Sequence, residues 1–391
     1  MNLPTPGAGE RATQARYNLM QVAAEMEDVI RLGAGDPDLD TPPEIIHDAI
    51  QLMRNQQGAL SASGLSTLRE ALAEQFKNNK SLSFNPDSEI LITNGAQEGL
   101  FLTMLALVNP GDGVLVQDPR YSSYDQAVEA AGGRVIGIPS GHNQRFELAP
   151  ENLKAKVGEG KVLVFVNPNN PTAALNSSDT VREIAAICRD ANLLVVSDEV
   201  YEGLVFDDVE VRTIAQCEGM RDKTVILSSF SKTYAMTGFR VGYLIGPPHF
   251  IQAAARLKAT ISGSCPLFSQ YAALAALTGS QKGRNEILQT FTRRRKIMMD
   301  GLSSLDIPYG HPGGGFFMWA DISRYGLPAS EFCRRLLLEA KVLMFPGTSF
   351  GERWKNYVRI SILENEQRLA DAIERIRGFA QKIQDEGRTA Q

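Results

Sequence analysis

A lysine flanked by hydroxyls and followed by an arginine is where residue types first spell out chemistry in this sequence. Lys232 is preceded by Ser229 and Ser231, followed by Thr233, and Arg240 lies a short way downstream. The apolar, β-branched run 224–227 reads as a buried strand, and a second apolar run opens at Val241, so the lysine is expected on a loop between two strands. Such a setting suits an amine that must shed its proton to react while neighbouring donors hold an anion. A lysine on its own is ordinarily a solvated surface residue. The company this one keeps makes it a candidate.

Three further places have the right types, each with a plain alternative. Residues 89–93 read as a strand, and Asn94-Gly95-Ala96-Gln97 as the turn opening a helix over 98–108. Free N–H groups and the positive end of the helix dipole make such a turn a phosphate cradle, although many turns of this kind hold nothing. Residues 193–196 read as a buried strand that delivers Asp198 to its end, where α/β folds place their chemistry; a cap for the next turn is an equal reading. Tyr121, after a strand at 114–117, suits stacking on a flat heteroaromatic ring and suits half-buried packing as well.

The elements that must position these residues alternate. Strands at 134–139 and 161–166 and a helix at 179–191 complete the series between about residues 89 and 246, and the run at 161–166 is apolar enough for burial on both faces. The expected fold is therefore α/β, a doubly wound, mostly parallel sheet with ligands at the carboxyl ends of its strands. Helices are expected around it at 12–26, 43–54, 67–76, 249–260, 267–277 and 286–302. The basic run Arg293-Arg294-Arg295-Lys296 reads as the solvated face of the last of these.

The pattern Ser229-x-Ser231-Lys232 followed by Gly238-x-Arg240-x-Gly242 resembles the cofactor-attachment segment of the fold-type I, class I and II aminotransferases, which depend on pyridoxal 5'-phosphate. Other family motifs are resembled in order: Gly35-Asp36-Pro37-Asp38, Gly64 with Leu68-Arg69, Pro119-Arg120-Tyr121, Asn167-Pro168-Asn169-Asn170-Pro171-Thr172, and Asp198-Glu199-Val200-Tyr201. The resemblance implies that Lys232 carries the internal aldimine and later moves the α-proton, with Asp198 as partner of the pyridine nitrogen. It implies that Asn170 and Tyr201 serve the phenolic oxygen and that Tyr121 stacks on the ring. The amides of Ala96 and Gln97, with Ser229, Ser231 and Arg240, are then the phosphate site. Gly35, Asn170 and Arg359 are then the substrate contacts, Arg359 as a bidentate fork on the carboxylate.

The implied reaction passes an amino group between an L-amino acid and a 2-oxo acid, with a lyase, synthase or decarboxylase on the same fold as the alternative. The implied assembly is a homodimer whose large domain spans 45–285 and whose smaller α+β domain is built from 1–44 and 286–391. Ala59 and Leu60 stand where the family has a tyrosine reaching the neighbouring subunit's phosphate, and Ala173 replaces a glycine.

Composition does not oppose this reading. A chain of 391 residues exceeds the usual single core, and 43% hydrophobic and 22% charged residues with a net charge of −5 describe a globular protein without a basic face for nucleic acid. Cys188, Cys217, Cys265 and Cys333 show neither metal nor disulfide spacing, and no apolar run approaches the ~20 residues of a membrane span. The first residues lack an export signal's apolar segment, so a cytoplasmic protein is expected.

Overall fold

The structure, a computed structural model, describes residues 8–55, 61–141 and 145–389. Ala59 and Leu60 lie outside the described residues. The strands, in chain order, are β1 (Ile30–Arg31), β2 (Ile90–Thr93), β3 (Gly113–Asp118), β4 (Arg134–Pro139), β5 (Val162–Val166), β6 (Leu194–Asp198), β7 (Thr224–Ser229), β8 (Gly242–Ile245), β9 (Phe317–Asp321), β10 (Val342–Leu343), β11 (Phe345–Pro346) and β12 (Tyr357–Ser361).

Seven of them form one sheet in the order β2-β8-β7-β6-β5-β3-β4, in which only β8 runs against its neighbours. Alternation of side chains explains how it is held. Val162, Val164 and Val166 of β5 join the cluster formed with the helices Gly95–Leu107 and Pro248–Ile261. Leu163 and Phe165 join the opposite cluster, with Val181, Ile184 and Cys188 of the helix Ser178–Asp190. Each such side chain contributes roughly 1.5–3 kcal/mol by leaving water, so a strand apolar on both faces is stable only between two helical layers.

The strand order aims the site. Six strands share one direction, so Thr93, Asp118, Val166, Asp198 and Ser229 all end at the same edge, and β8, running the other way, begins there at Gly242 opposite both Thr93 and Ser229. Arg240 precedes that start for this reason. A second, antiparallel sheet, ordered β11-β12-β9, pairs Arg359 with Trp319 and Phe345. β1 pairs in parallel with β10, joining the beginning of the chain to its last third.

Two expectations from sequence change. Lys232 stands on a single helical turn, Phe230–Thr233, because the Ser229 side chain accepts a hydrogen bond from the Ser231 N–H and caps it. The basic run is not a solvated face: Arg294 and Arg295 are buried, and they share one face of the helix Lys282–Ser304 with Phe291 and Met298. Asp38 binds Arg294 in bidentate fashion at 2.6 and 2.9 Å, and Asp207 binds Arg295 at 2.8 Å twice, which supplies the opposite charge that burial requires. Among the described residues no helix is long and apolar enough to cross a membrane, and no acidic, histidine or cysteine cluster suits a metal.

Candidate active site

At the shared strand edge lies a cavity of about 560 Å³, lined by Gly35, Ala96, Gln97, Tyr121, Asn170, Asp198, Tyr201, Ser229, Ser231, Lys232, Arg240 and Arg359. Every candidate residue named from the sequence is therefore at one place. The Lys232 side chain is only 14% exposed; its Nζ donates to the Gly35 carbonyl at 2.8 Å and to Asp36 at 2.7 Å. Burial lowers the lysine's affinity for its proton, Asp36 opposes that, and the guanidinium charges of Arg240 and Arg359 reinforce it.

One end of the cavity has the groups that suit an anion. Gly95 opens the helix Gly95–Leu107 with φ +78°, and a Cβ there would meet Arg240 Nη2 at 2.5 Å. A Cβ on Gly242 would lie 2.9 Å from the Ala96 amide nitrogen. Glycine at both positions lets the guanidinium and the helix N-terminus close on the same space. Arg240 itself adopts a left-handed backbone (φ +53°), a costly choice for a residue with a side chain.

Glu98 fastens this turn. It accepts from the Asn94 N–H at 2.5 Å and from Lys258 Nζ at 2.9 Å, and Ser262 Oγ donates to it as well. Burial opposes the carboxylate's charge, but these donors outweigh it and hold the group below the usual range. Lys258 is fully buried, so Lys258→Ala strands Glu98 and is expected to lower stability by about 3 kcal/mol, read as a fall in urea midpoint. An unchanged midpoint would mean that the pair holds nothing.

Asp198 lies deeper. Burial pushes its carboxyl up to about 6, against hydrogen bonds from Tyr124 Oη at 2.8 Å and the Val200 N–H at 3.2 Å. Among the described residues the partners of its carboxylate are these two neutral donors, and no cation bears on it. Tyr201 is packed edge-on against Phe316 and Phe317, and burial raises its hydroxyl well above the ordinary range.

Arg359 donates to Asn170 Oδ1 at 3.1 Å and to the Gly33 carbonyl at 3.0 Å, while its Nε, among the described residues, has no partner. The rings of Phe317 and Phe350 stand 4.0 and 4.7 Å from its guanidinium carbon. Burial, reinforced by the nearby Arg16, pulls it down to about 9.

Sequence reasoning gave no role to three residues here. Tyr124, three residues past the Pro119-Arg120-Tyr121 motif, is the donor to Asp198. Arg16, on the helix Ala8–Ala24, donates to Ser122 Oγ at 2.6 Å and rests 5.9 Å from the Tyr121 ring centre and 5.4 Å from that of Phe350. Asp36, the partner of Lys232, stands in sequence only as a member of the Gly35-Asp36-Pro37-Asp38 motif. No local signal marks the latter two, because each meets its partner across a long stretch of chain. The Ser229 and Ser231 hydroxyls, expected as anion donors, bond to each other at 2.8 Å.

The fold sets the class first: a doubly wound, mostly parallel α/β enzyme with its cavity at the carboxyl ends of the strands. Within that class, the pattern of the class I and II aminotransferases matches residues 27–376, and the chain belongs to that family. It is 36% identical to an aspartate aminotransferase of Pyrococcus abyssi over 365 residues, 92% of this chain and 93% of that one. The aromatic aminotransferase of Pyrococcus horikoshii superposes with a TM-score of 0.88 at 33% identity, over 93% of this chain and 99% of that one. The aspartate aminotransferase of Thermus thermophilus with maleate superposes with a TM-score of 0.88 at 30% identity, over 96% and 99%.

Proposed function

We propose that this aminotransferase binds pyridoxal phosphate in the cavity, attached through Lys232, and transfers an amino group from an L-amino acid to a 2-oxo acid. The residues present fit that group. Asp198, a buried carboxylate with no cationic partner among the described residues, suits a protonated ring nitrogen, and the cradle of Arg240 with the Ala96 and Gln97 amides suits a phosphate. Tyr121 offers a ring face, and Asn170 and Tyr201 offer donors for a ring oxygen. Bound there, pyridoxal phosphate supplies the electron sink into which an amino acid's α-C–H bond can ionise.

The chain's own groups do the rest. Arg359, with an unused Nε and a rigid planar fork, grips the substrate carboxylate and turns the α-proton toward Lys232. Lys232 Nζ, kept weakly basic by burial, takes that proton and returns it. The rings of Phe317, Phe345 and Phe350 around Arg359 keep water from competing for the carboxylate. The observation carrying this reading is that Lys232, Asp198 and the cradle, supplied by separate strands, meet in one cavity. In the proposed assembly, segments 1–44 and 286–391 form a small domain beside 45–285, in a homodimer.

The deciding experiment is a single turnover with an amino donor and no acceptor. One equivalent of oxo acid per site, and a return only after an oxo acid is added, is the expected result. Continuous release of product without an acceptor would assign the chain to lyases or decarboxylases instead. For Arg359→Lys, which keeps charge but loses the fork, KM is expected to rise on the order of tenfold for every amino donor, with kcat less affected. Equal KM values in the two proteins would remove Arg359 from carboxylate binding.

A further inference from the structure

The segment after β1 is tied down along its whole length. Arg359 donates to the Gly33 carbonyl at 3.0 Å, Lys232 to the Gly35 carbonyl at 2.8 Å, Arg294 to both Asp38 oxygens, and Thr41 Oγ1 to the Ala235 carbonyl at 2.7 Å. The backbone around Asp36 is thereby fixed on both sides. Its carboxylate meets Lys232 Nζ at 2.7 Å although the Asp36 side chain is 66% exposed and has solvent as an alternative.

We propose that Asp36 is a positioning residue for Lys232: by accepting a hydrogen bond from the ammonium it fixes where Nζ rests when unattached and how readily Nζ gives up its proton. The inference rests on the reading of Lys232 as the reactive amine. The charged groups that bear on Nζ come from three directions. Asp36 on the segment after β1 favours the ammonium, whereas Arg240 before β8 and Arg359 on β12 oppose it, together with burial. The Phe316 ring centre, 5.9 Å away, adds weak attraction for the cation.

Among the described residues, Asp36 is the carboxylate that bonds Nζ directly and favours its proton. Its consequence differs between two moments of the reaction. Before attachment the amine must be neutral, and Asp36 holds it back. When the free amine takes the α-proton, an ammonium appears at Nζ, and Asp36 is placed to receive it by the same hydrogen bond. No change of atoms beyond that proton transfer is involved.

The test is the pH dependence of arylation of Lys232 by the uncharged reagent fluorodinitrobenzene, on the full-length protein freed of cofactor, followed by peptide mass spectrometry. Only the neutral amine reacts. In Asp36→Asn, Arg240, Arg359 and burial lose their main opposition, so the reactivity profile should move to lower pH. Labelling near neutrality should rise roughly three- to tenfold, the lower figure reflecting solvent screening of an exposed carboxylate. Asp36→Glu, which restores the charge, should return the profile toward that of the parent, whereas a loop merely disturbed by substitution would not be rescued. Superimposable profiles for parent and Asp36→Asn overturn the proposal, as does equal acceleration in Asp36→Glu. Failure of the underlying reading looks different: borohydride treatment of the cofactor-loaded protein would leave the Lys232 peptide at its unmodified mass.

Discussion

Lys232→Ala is expected to abolish transamination while leaving the fold intact. The loss should reach roughly a hundred- to ten-thousand-fold from proton transfer alone, and more where attachment also matters, because no other amine stands at Gly35 and Asp36 among the described residues. Folding should not suffer. The side chain brings one buried cation into a cavity already holding Arg240 and Arg359, so its removal relieves repulsion and leaves the Ser229 cap of the turn in place. The measurement combines turnover, the mass of the borohydride-treated peptide, and the urea midpoint. Parent-like turnover, or cofactor fixed to another peptide, would displace Lys232 from the centre of the site.

That such a residue is legible at all follows from how the fold is built. Asp198 and Lys232 stand at or just past the ends of β6 and β7, whose apolar runs are visible in sequence, so the strand marks the residue. The same holds for Asn170 after β5 and for the turn Asn94–Gln97 after β2. Local information suffices there. It fails where partners come from distant segments: Tyr124 and Asp198 are 74 residues apart, Arg16 and Ser122 106, Asp36 and Lys232 196.

Arg294 and Arg295 show the second kind of failure. Their spacing with Phe291 and Met298 marks one helical face, yet charge argued for solvent. Burial is permitted only because Asp38 and Asp207, remote in sequence, neutralise them. The helices Ser123–Ala130, Ala329–Ala340 and Glu366–Thr389 were not expected, although the last two carry amphipathic patterns.

Asp198→Asn should separate the cost of a buried charge from its use. In the protein without cofactor the carboxyl is pushed up to about 6 by burial, above its ordinary value near 3.9 in an unfolded chain. The folded state therefore binds more protons than the unfolded one between those values. The contribution of this group to stability is full below about pH 4 and is lost as pH rises through about 6. Asparagine cannot ionise, so the pH slope of stability in this window should flatten. The variant should be the more stable protein at pH 8 relative to its own value at pH 4, by up to about 3 kcal/mol compared with the parent. With cofactor the order reverses. On the proposed function the carboxylate is the negative charge beside the ring nitrogen, and an amide cannot replace it, so kcat should fall roughly a hundredfold or more while the protein still takes up cofactor. Urea midpoints across pH on the cofactor-free proteins, set beside kcat on the loaded ones, test both halves. Parallel stability curves would show that Asp198 is not held at a cost, and an undiminished kcat would show that its charge is not used.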